Sequence, residues 1–287
     1  MNSMEDIELV TPQTLAEALK LQADEKTRGL PLAGGTDLMV QWEAGARPLV
    51  KFALNVKALP ELAGIREDGD SLVIGASVTH AELRKSPRIQ EYFPSLSAAC
   101  ATVGGAQIQA LGTIGGSVAN ASPAGDLAPS LLVSGGTVVV ASVKGEREIA
   151  LTKFFTGYRK LDLRPDELIV RFVIPRLPRG HREGFRKLGP RAAQAISKVM
   201  GSYRAGVESG VIKSFAVALG SVAPTAIRLG KFEGWAMGKK LNESMIVEAE
   251  KRAADEVAPI SDIRSTAEYR KWVSGRLVRG FLEELWA

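Results

Sequence analysis

The chain of 287 residues contains one cysteine, Cys100, and two histidines, His80 and His181. A lone thiol excludes an internal disulfide, a thiolate-held iron–sulfur cluster and a cysteine-rich zinc site within this chain. With no His-Glu-x-x-His and no Cys/His cluster, no conventional metal centre is expected. There is no Gly-x-Ser-x-Gly elbow, and both histidines lie among polar signals and read as exposed, so a Ser–His–Asp triad is not expected. The P-loop pattern is missing, and no Gly-x-Gly-x-x-Gly follows a strand, which argues against a Rossmann dinucleotide site. No apolar run approaches about eighteen residues, and the opening MNSMEDIELV is acidic without an apolar signal core. The expectation is a cytoplasmic protein with no membrane span. The net charge of +5 is spread thinly, without a basic patch interleaved with aromatics, so no nucleic-acid partner is expected.

What is present is an ordinary globular composition, 45% hydrophobic and 24% charged, at a length that favours two domains. TPQTLAEALKLQAD carries Thr14 and Glu17 at capping-box spacing before helical apolar intervals. LPLAGG reads as a short buried strand, PLVKFALNV (48–56) as another, and ALPELAGI as a helical turn. SLVIGAS (71–77) is a strand, and Thr79 with Glu82 opens a helix. YFPSLSAACATV reads as helix, with Cys100 a buried small hydrophobe, and DLAPSLLVSGG as a short apolar helix. TVVVAS and DELIVRFVIP (166–175) are strands. The composition shifts at PRLPRGHREG (175–184), the expected domain boundary. Beyond it, ISKVMGSYRAGVESGVIKSFAVALGSV predicts antiparallel strands turning at ESG. The tail predicts two helices, the second capped by Ser265 with Glu268. The order implies an α/β domain followed by an α+β domain.

Two glycine pairs stand out. AGGTD (33–37) follows the strand LPL. GTIGGSVANASPAGDLAP (112–129) sets Thr113, Ser117, Asn120 and Ser122 around Gly115 and Gly116, with Asp126 further on. Glycine persists where a backbone turns sharply or is closely approached. Successive N–H groups in such turns form an anion nest that a Cβ would obstruct, and two nests could grip the two phosphates of a dinucleotide. A carboxylate such as Asp126 suits sugar hydroxyls. The same corners could equally be strand-end turns with nothing bound.

PLAGGTDLMVQW and TIGGSVANASPAGDLAP together resemble the FAD-binding medium subunit of molybdenum hydroxylases, the flavoprotein of the xanthine dehydrogenase and aerobic carbon monoxide dehydrogenase family. The resemblance extends in order to FFTGYRKLDLRPDELIVRFVIP (154–175), FRKLGPRAAQAISKV (185–199) and VAPISDIRSTAEYRK (257–271). It implies an α+β protein: a two-lobed FAD-binding domain of the vanillyl-alcohol-oxidase or p-cresol methylhydroxylase type over 1–177 (lobes about 1–56 and 57–177), then a smaller α+β domain over 178–287.

The resemblance also implies site residues. Ala33, Gly34, Gly35, Thr36 and Asp37, flanked by Leu32 and Leu38, and Thr113, Gly115 and Gly116 would cradle the FAD pyrophosphate. Asn120 and Asp126 would face the ribityl and adenosine portions, Ile169 would pack on the flavin, and Lys187 would lie near its ring. Two positions depart from the family pattern: Ser117 where asparagine is usual, and Ala195 where aspartate is frequent. No residue is expected to act as an acid or base, because a flavin supplies the redox chemistry. The implied partners are a molybdenum–pterin large subunit, a 2Fe–2S small subunit, and an acceptor that is NAD, oxygen or another molecule, in a heterotrimer. The alternative is a standalone FAD-dependent reductase of a small molecule on the same fold.

Overall fold

The computed structural model describes residues 4–192 and 194–287. The first lobe holds β1 (Glu8–Val10), α1 (Leu15–Ala23), β2 (Leu30–Leu32), α2 (Leu38–Glu43) and β3 (Phe52–Asn55). Its sheet is parallel with order β1-β3-β2. Thr14 caps α1 by accepting the Glu17 N–H at 3.2 Å, but the Glu17 carboxylate takes the Gln13 N–H at 2.7 Å, so the box closes one residue early.

The second lobe begins with β4 (Ile65–Asp68) and β5 (Ser71–Gly75) and continues through α3 (His80–Lys85), α4 (Pro87–Tyr92), α5 (Pro94–Ala101), α6 (Ala106–Leu111), α7 (Ile114–Ala119) and α8 (Leu127–Val133). Strands β6 (Thr137–Ser142) and β7 (Gly145–Ala150), the turn α9 (Leu151–Phe154), the small hairpin β8 (Phe155–Gly157) and β9 (Lys160–Leu161), and β10 (Leu168–Pro175) complete it. Its sheet has order β4-β5-β10-β6-β7 and every pairing is antiparallel. An α/β lobe was expected here; short turns after β4 and β6 instead fold each strand back on its neighbour, and β10 returns to fill the centre. Leu168, Val170, Phe172 and Ile174 of β10 are buried, each worth roughly 1.5–3 kcal/mol of apolar transfer. Cys100 is buried, as its apolar surroundings predict.

The second half carries β11 (His181–Leu188), β12 (Val199–Glu208), β13 (Val211–Gly220), β14 (Ile227–Arg228), α10 (Gly230–Ala236), α11 (Glu243–Asp255) and α12 (Ala267–Trp286). The strands pair antiparallel in sequence order, and β12 turns into β13 at Ser209-Gly210, within the expected ESG. Helix α12 begins one residue later than expected: Thr266, not Ser265, accepts the Tyr269 N–H at 3.2 Å. Val273, Val278, Phe281, Leu282 and Leu285 of α12 are buried, while Trp272 and Trp286 are exposed.

Helices α5 and α8 of the first half pack on β11, β12 and β13. An apolar cluster of Ala128, Leu132, Val133, Ala218 and Ala226 fills that boundary. Two charged contacts cross it from β11. Glu183 accepts the Ser95 N–H at 3.2 Å and the Ser95 hydroxyl at 2.8 Å, and pairs with Arg204 at 2.5 Å. Lys187 forms the other contact, with Asp126. His181 lies on β11, partly buried, with Nε2 2.7 Å from the Ser214 hydroxyl, rather than in an exposed linker.

Candidate functional site between two glycine corners

β2 ends where the Val56 N–H donates to the Leu32 carbonyl at 3.0 Å. The chain then turns through Ala33–Asp37, with Gly35 in the left-handed region at φ +69°. A Cβ on Gly34 would stand 2.1 Å from the Leu111 carbonyl oxygen and 2.9 Å from Gly112 Cα. The first corner therefore rests directly on the backbone leading into the second. Among the described residues, none of the main-chain N–H groups of Ala33, Gly34, Gly35, Thr36 or Asp37 donates to a protein acceptor. Without a partner in the fold, these donors are available to an acceptor from outside the chain.

The second corner differs from the expected nest. Thr113 caps α7, its hydroxyl accepting the Gly116 N–H at 3.0 Å. The Gly115 N–H donates to Ala76 O and the Ser117 N–H to Thr113 O, both at 2.9 Å. These amides are consumed by the fold. Gly115 is required because a Cβ would stand 2.6 Å from Ala76 O. A Cβ on Gly116 would meet only Thr113 Oγ1, at 3.1 Å. The second corner thus contributes a bare floor, and the free donors come from the first.

Between the lobes lies a mainly apolar cleft, partly open to solvent, lined among others by Ala33, Gly115, Gly116, Glu167 and Ile169. Ile169 sits beside a bulge in β10. The Glu167 carboxylate accepts Arg147 Nε at 2.7 Å, Arg147 Nη2 at 2.9 Å and the Arg164 N–H at 2.7 Å. Those bonds, Arg147 foremost, hold it below the usual carboxylate range.

At the rim of the first corner, Asn120 donates from Nδ2 to Asp37 Oδ2 at 3.0 Å. Its Oδ1 accepts Gln41 Nε2 at 3.1 Å and Arg159 Nη1 at 3.2 Å. Thr36 and Leu38 follow on the same turn, partly buried, and the Leu32 side chain packs beneath Gly35.

Lys187 lies on strand β11. Its Nζ lies 2.6 Å from Asp126 Oδ2 and 3.0 Å from the Thr102 carbonyl. Burial pushes Asp126 up to about 6 against the opposing pull of Lys187. Among the described residues, Asp126 Oδ1 is buried without a hydrogen-bond partner. Neither residue lines the apolar cleft beside Ile169.

His80 corrects the expectation of exposure: it is only 3% exposed. Its N–H donates to the Gly112 carbonyl at 3.0 Å, and its ring lies where a Cβ on Gly112 would be 3.0 Å from Cδ2. Burial lowers its pKa to about 4. The Thr79–Glu82 capping box is present and fixes His80 at the first helical position, but a cap signal carries no information on which face is covered. Arg159, Gln41 and the Arg147–Glu167 pair carried no motif of their own.

The free N–H run, the Cβ-free floor and the apolar slot together fit a flavin dinucleotide: amides for diphosphate and apolar walls for rings. Residues 5–177 match the family model of the FAD-binding domain in molybdopterin dehydrogenase, and residues 185–285 match that of the CO dehydrogenase flavoprotein C-terminal domain. The chain belongs to this family: it is an FAD-binding flavoprotein, the medium subunit type of the molybdenum hydroxylases, and an oxidoreductase.

It is 32% identical over 260 residues to the xanthine dehydrogenase FAD-binding subunit of Escherichia coli O157:H7, covering 90% of this chain and 88% of that one. Identity to the carbon monoxide dehydrogenase medium chain of Hydrogenophaga pseudoflava is 28% over 281 residues, covering 96% of each. The solved carbon monoxide dehydrogenase from that organism, in a form lacking the Mo-pyranopterin moiety, superimposes with a TM-score of 0.92 at 26% identity, over 96% of this chain and 95% of that chain. No helix among the described residues is long and apolar enough to cross a membrane.

Proposed function

We propose that this chain is the electron-transfer subunit of a heterotrimer, placed between a 2Fe–2S small subunit that delivers electrons from a molybdenum–pterin large subunit and an acceptor such as NAD or oxygen. When bound, FAD supplies the redox chemistry, receiving electrons from the clusters and passing them on. The chain's own residues bind and orient. Ala33 to Asp37, framed by Leu32 and Leu38, offer N–H groups to the diphosphate. Thr113, Gly115, Gly116 and Ser117 form the floor beneath it. Asn120 and Asp126 face the sugar portions, Ile169 packs on a ring, and Lys187 places a cation near the flavin. In this reading residues 1–177 form the cofactor domain, and 178–287 brace it through β11.

The observation that carries the proposal is the run of unpaired amides at Ala33–Asp37 seated on Leu111 and Gly112. The acidic side chain lining the cleft, Glu167, is engaged by Arg147 and Arg164, which leaves it poorly suited to be the proton donor a standalone reductase would need. The test is purification of the native complex with assay of flavin, iron and molybdenum. One FAD per chain, with iron and molybdenum on co-purifying subunits, is expected. A flavin-containing chain that is monomeric and reduces a soluble substrate with NAD(P)H would overturn the subunit reading, and a complex without flavin would overturn both.

A further inference from the structure

We infer that Arg159, at the tip of the β8–β9 hairpin, is a ligand of the cofactor diphosphate, held ready by Asn120. The inference rests on the FAD reading above and assigns a residue that the two glycine motifs do not contain. A diphosphate is dianionic. The charged side chain on the first corner itself is the exposed Asp37, a carboxylate of the wrong sign. Dipolar N–H groups alone would then bind phosphate against a local negative charge.

Asn120 resolves the conflict by its orientation. Its amide nitrogen covers Asp37, and its oxygen draws Arg159 Nη1 to 3.2 Å. The guanidinium is thereby tethered by a single neutral hydrogen bond beside the corner. Arg159 forms no ion pair among the described residues. Its charge is uncompensated, and most of its N–H donors remain free for a planar, multi-bond contact with phosphate oxygens.

The backbone gives an independent reason. Arg159 has φ +52° and is the second residue of the two-residue turn between Gly157 and Lys160. Glycine or asparagine is the low-strain choice there, and a long side chain is strained. The hairpin does not use the side chain for packing, because Arg159 is exposed. An arginine at a strained, exposed turn has a use other than folding.

That strain separates binding from structure experimentally. In the full-length chain, Arg159→Gly relaxes the turn, so its Tm should equal or exceed the wild-type value. Its affinities for FAD and for ADP should fall by about tenfold or more, while riboflavin, which lacks the diphosphate, should bind unchanged. Arg159→Lys should fall between and keep the salt dependence of wild type, because the charge remains, whereas Arg159→Gly should make FAD binding less sensitive to salt. An Arg159→Gly variant that binds FAD within about twofold of wild type, or that loses riboflavin and FAD alike, overturns the inference. A wild-type chain that takes up no FAD overturns the cofactor reading and this inference with it.

Discussion

Lys187 and Asp126 meet across the boundary between the two halves of the chain, ammonium to carboxylate at 2.6 Å, with side chains only 10% and 9% exposed. Removing either partner leaves a buried charge alone. Lys187→Met should destabilise the chain at pH 7.5 by roughly 3–5 kcal/mol, and Asp126→Asn by a similar amount. The double variant should lose clearly less than the sum, because no unpaired charge remains. Urea denaturation of the four proteins measures the coupling; strict additivity would mean the pair does not interact.

The two glycine corners should fail in different ways. A methyl group at Gly34 would collide with the Leu111 carbonyl at 2.1 Å, so Gly34→Ala should lower stability by about 1–3 kcal/mol or more and abolish flavin uptake. A methyl at Gly116, which lines the cleft, would meet only the Thr113 hydroxyl at 3.1 Å, a contact relieved by a shift of a few tenths of an ångström. Gly116→Ala should keep Tm within a few degrees of wild type, corresponding to about 1 kcal/mol, and still bind flavin poorly. Melting curves set beside flavin occupancy distinguish the two.

Acid should act on His80 and Asp126 in opposite directions. His80 is buried neutral, its pKa lowered from 6.5 to about 4. The unfolded chain binds the proton more readily, so this group's contribution is present above pH 6.5 and is lost as pH falls towards 4, about 3 kcal/mol in all. Asp126 is raised from 3.8 to about 6, so the folded chain binds its proton more readily, and its term weakens the fold as pH rises through that window. The wild-type profile of the flavin-free chain between pH 4 and 6.5 should therefore be shallow. His80→Gln should expose a fall in stability with rising pH, and Asp126→Asn should steepen the rise. Parallel profiles for wild type and His80→Gln would show that His80 does not titrate as described.

Several elements were readable from residue pattern alone. The β-branched run of β6, the apolar β10 and the long β12–β13 hairpin announce themselves through composition and a glycine turn. β4 (IRED), β7 (GEREIA) and β11 (HREGFRKL) did not, because charged residues on edge strands erase the alternation that marks a half-buried surface. Nor can local periodicity reveal that β10 pairs between β5 and β6, since that register is set by contacts distant in sequence. At the site, the glycine pairs marked both corners. Which amides stay free depends on tertiary acceptors such as Ala76 O, so the difference between the corners was hidden.

The placement of Glu183 and Lys187 on one strand bears on how the protein could come apart. Arg179 lies exposed in the short connection between β10 and β11, within reach of a trypsin-like protease. A nick there would sever the peptide link, yet separation would strip Glu183 from Ser95 and Lys187 from Asp126 at once. The cleaved molecule should migrate as two bands under denaturing conditions and as one species in solution.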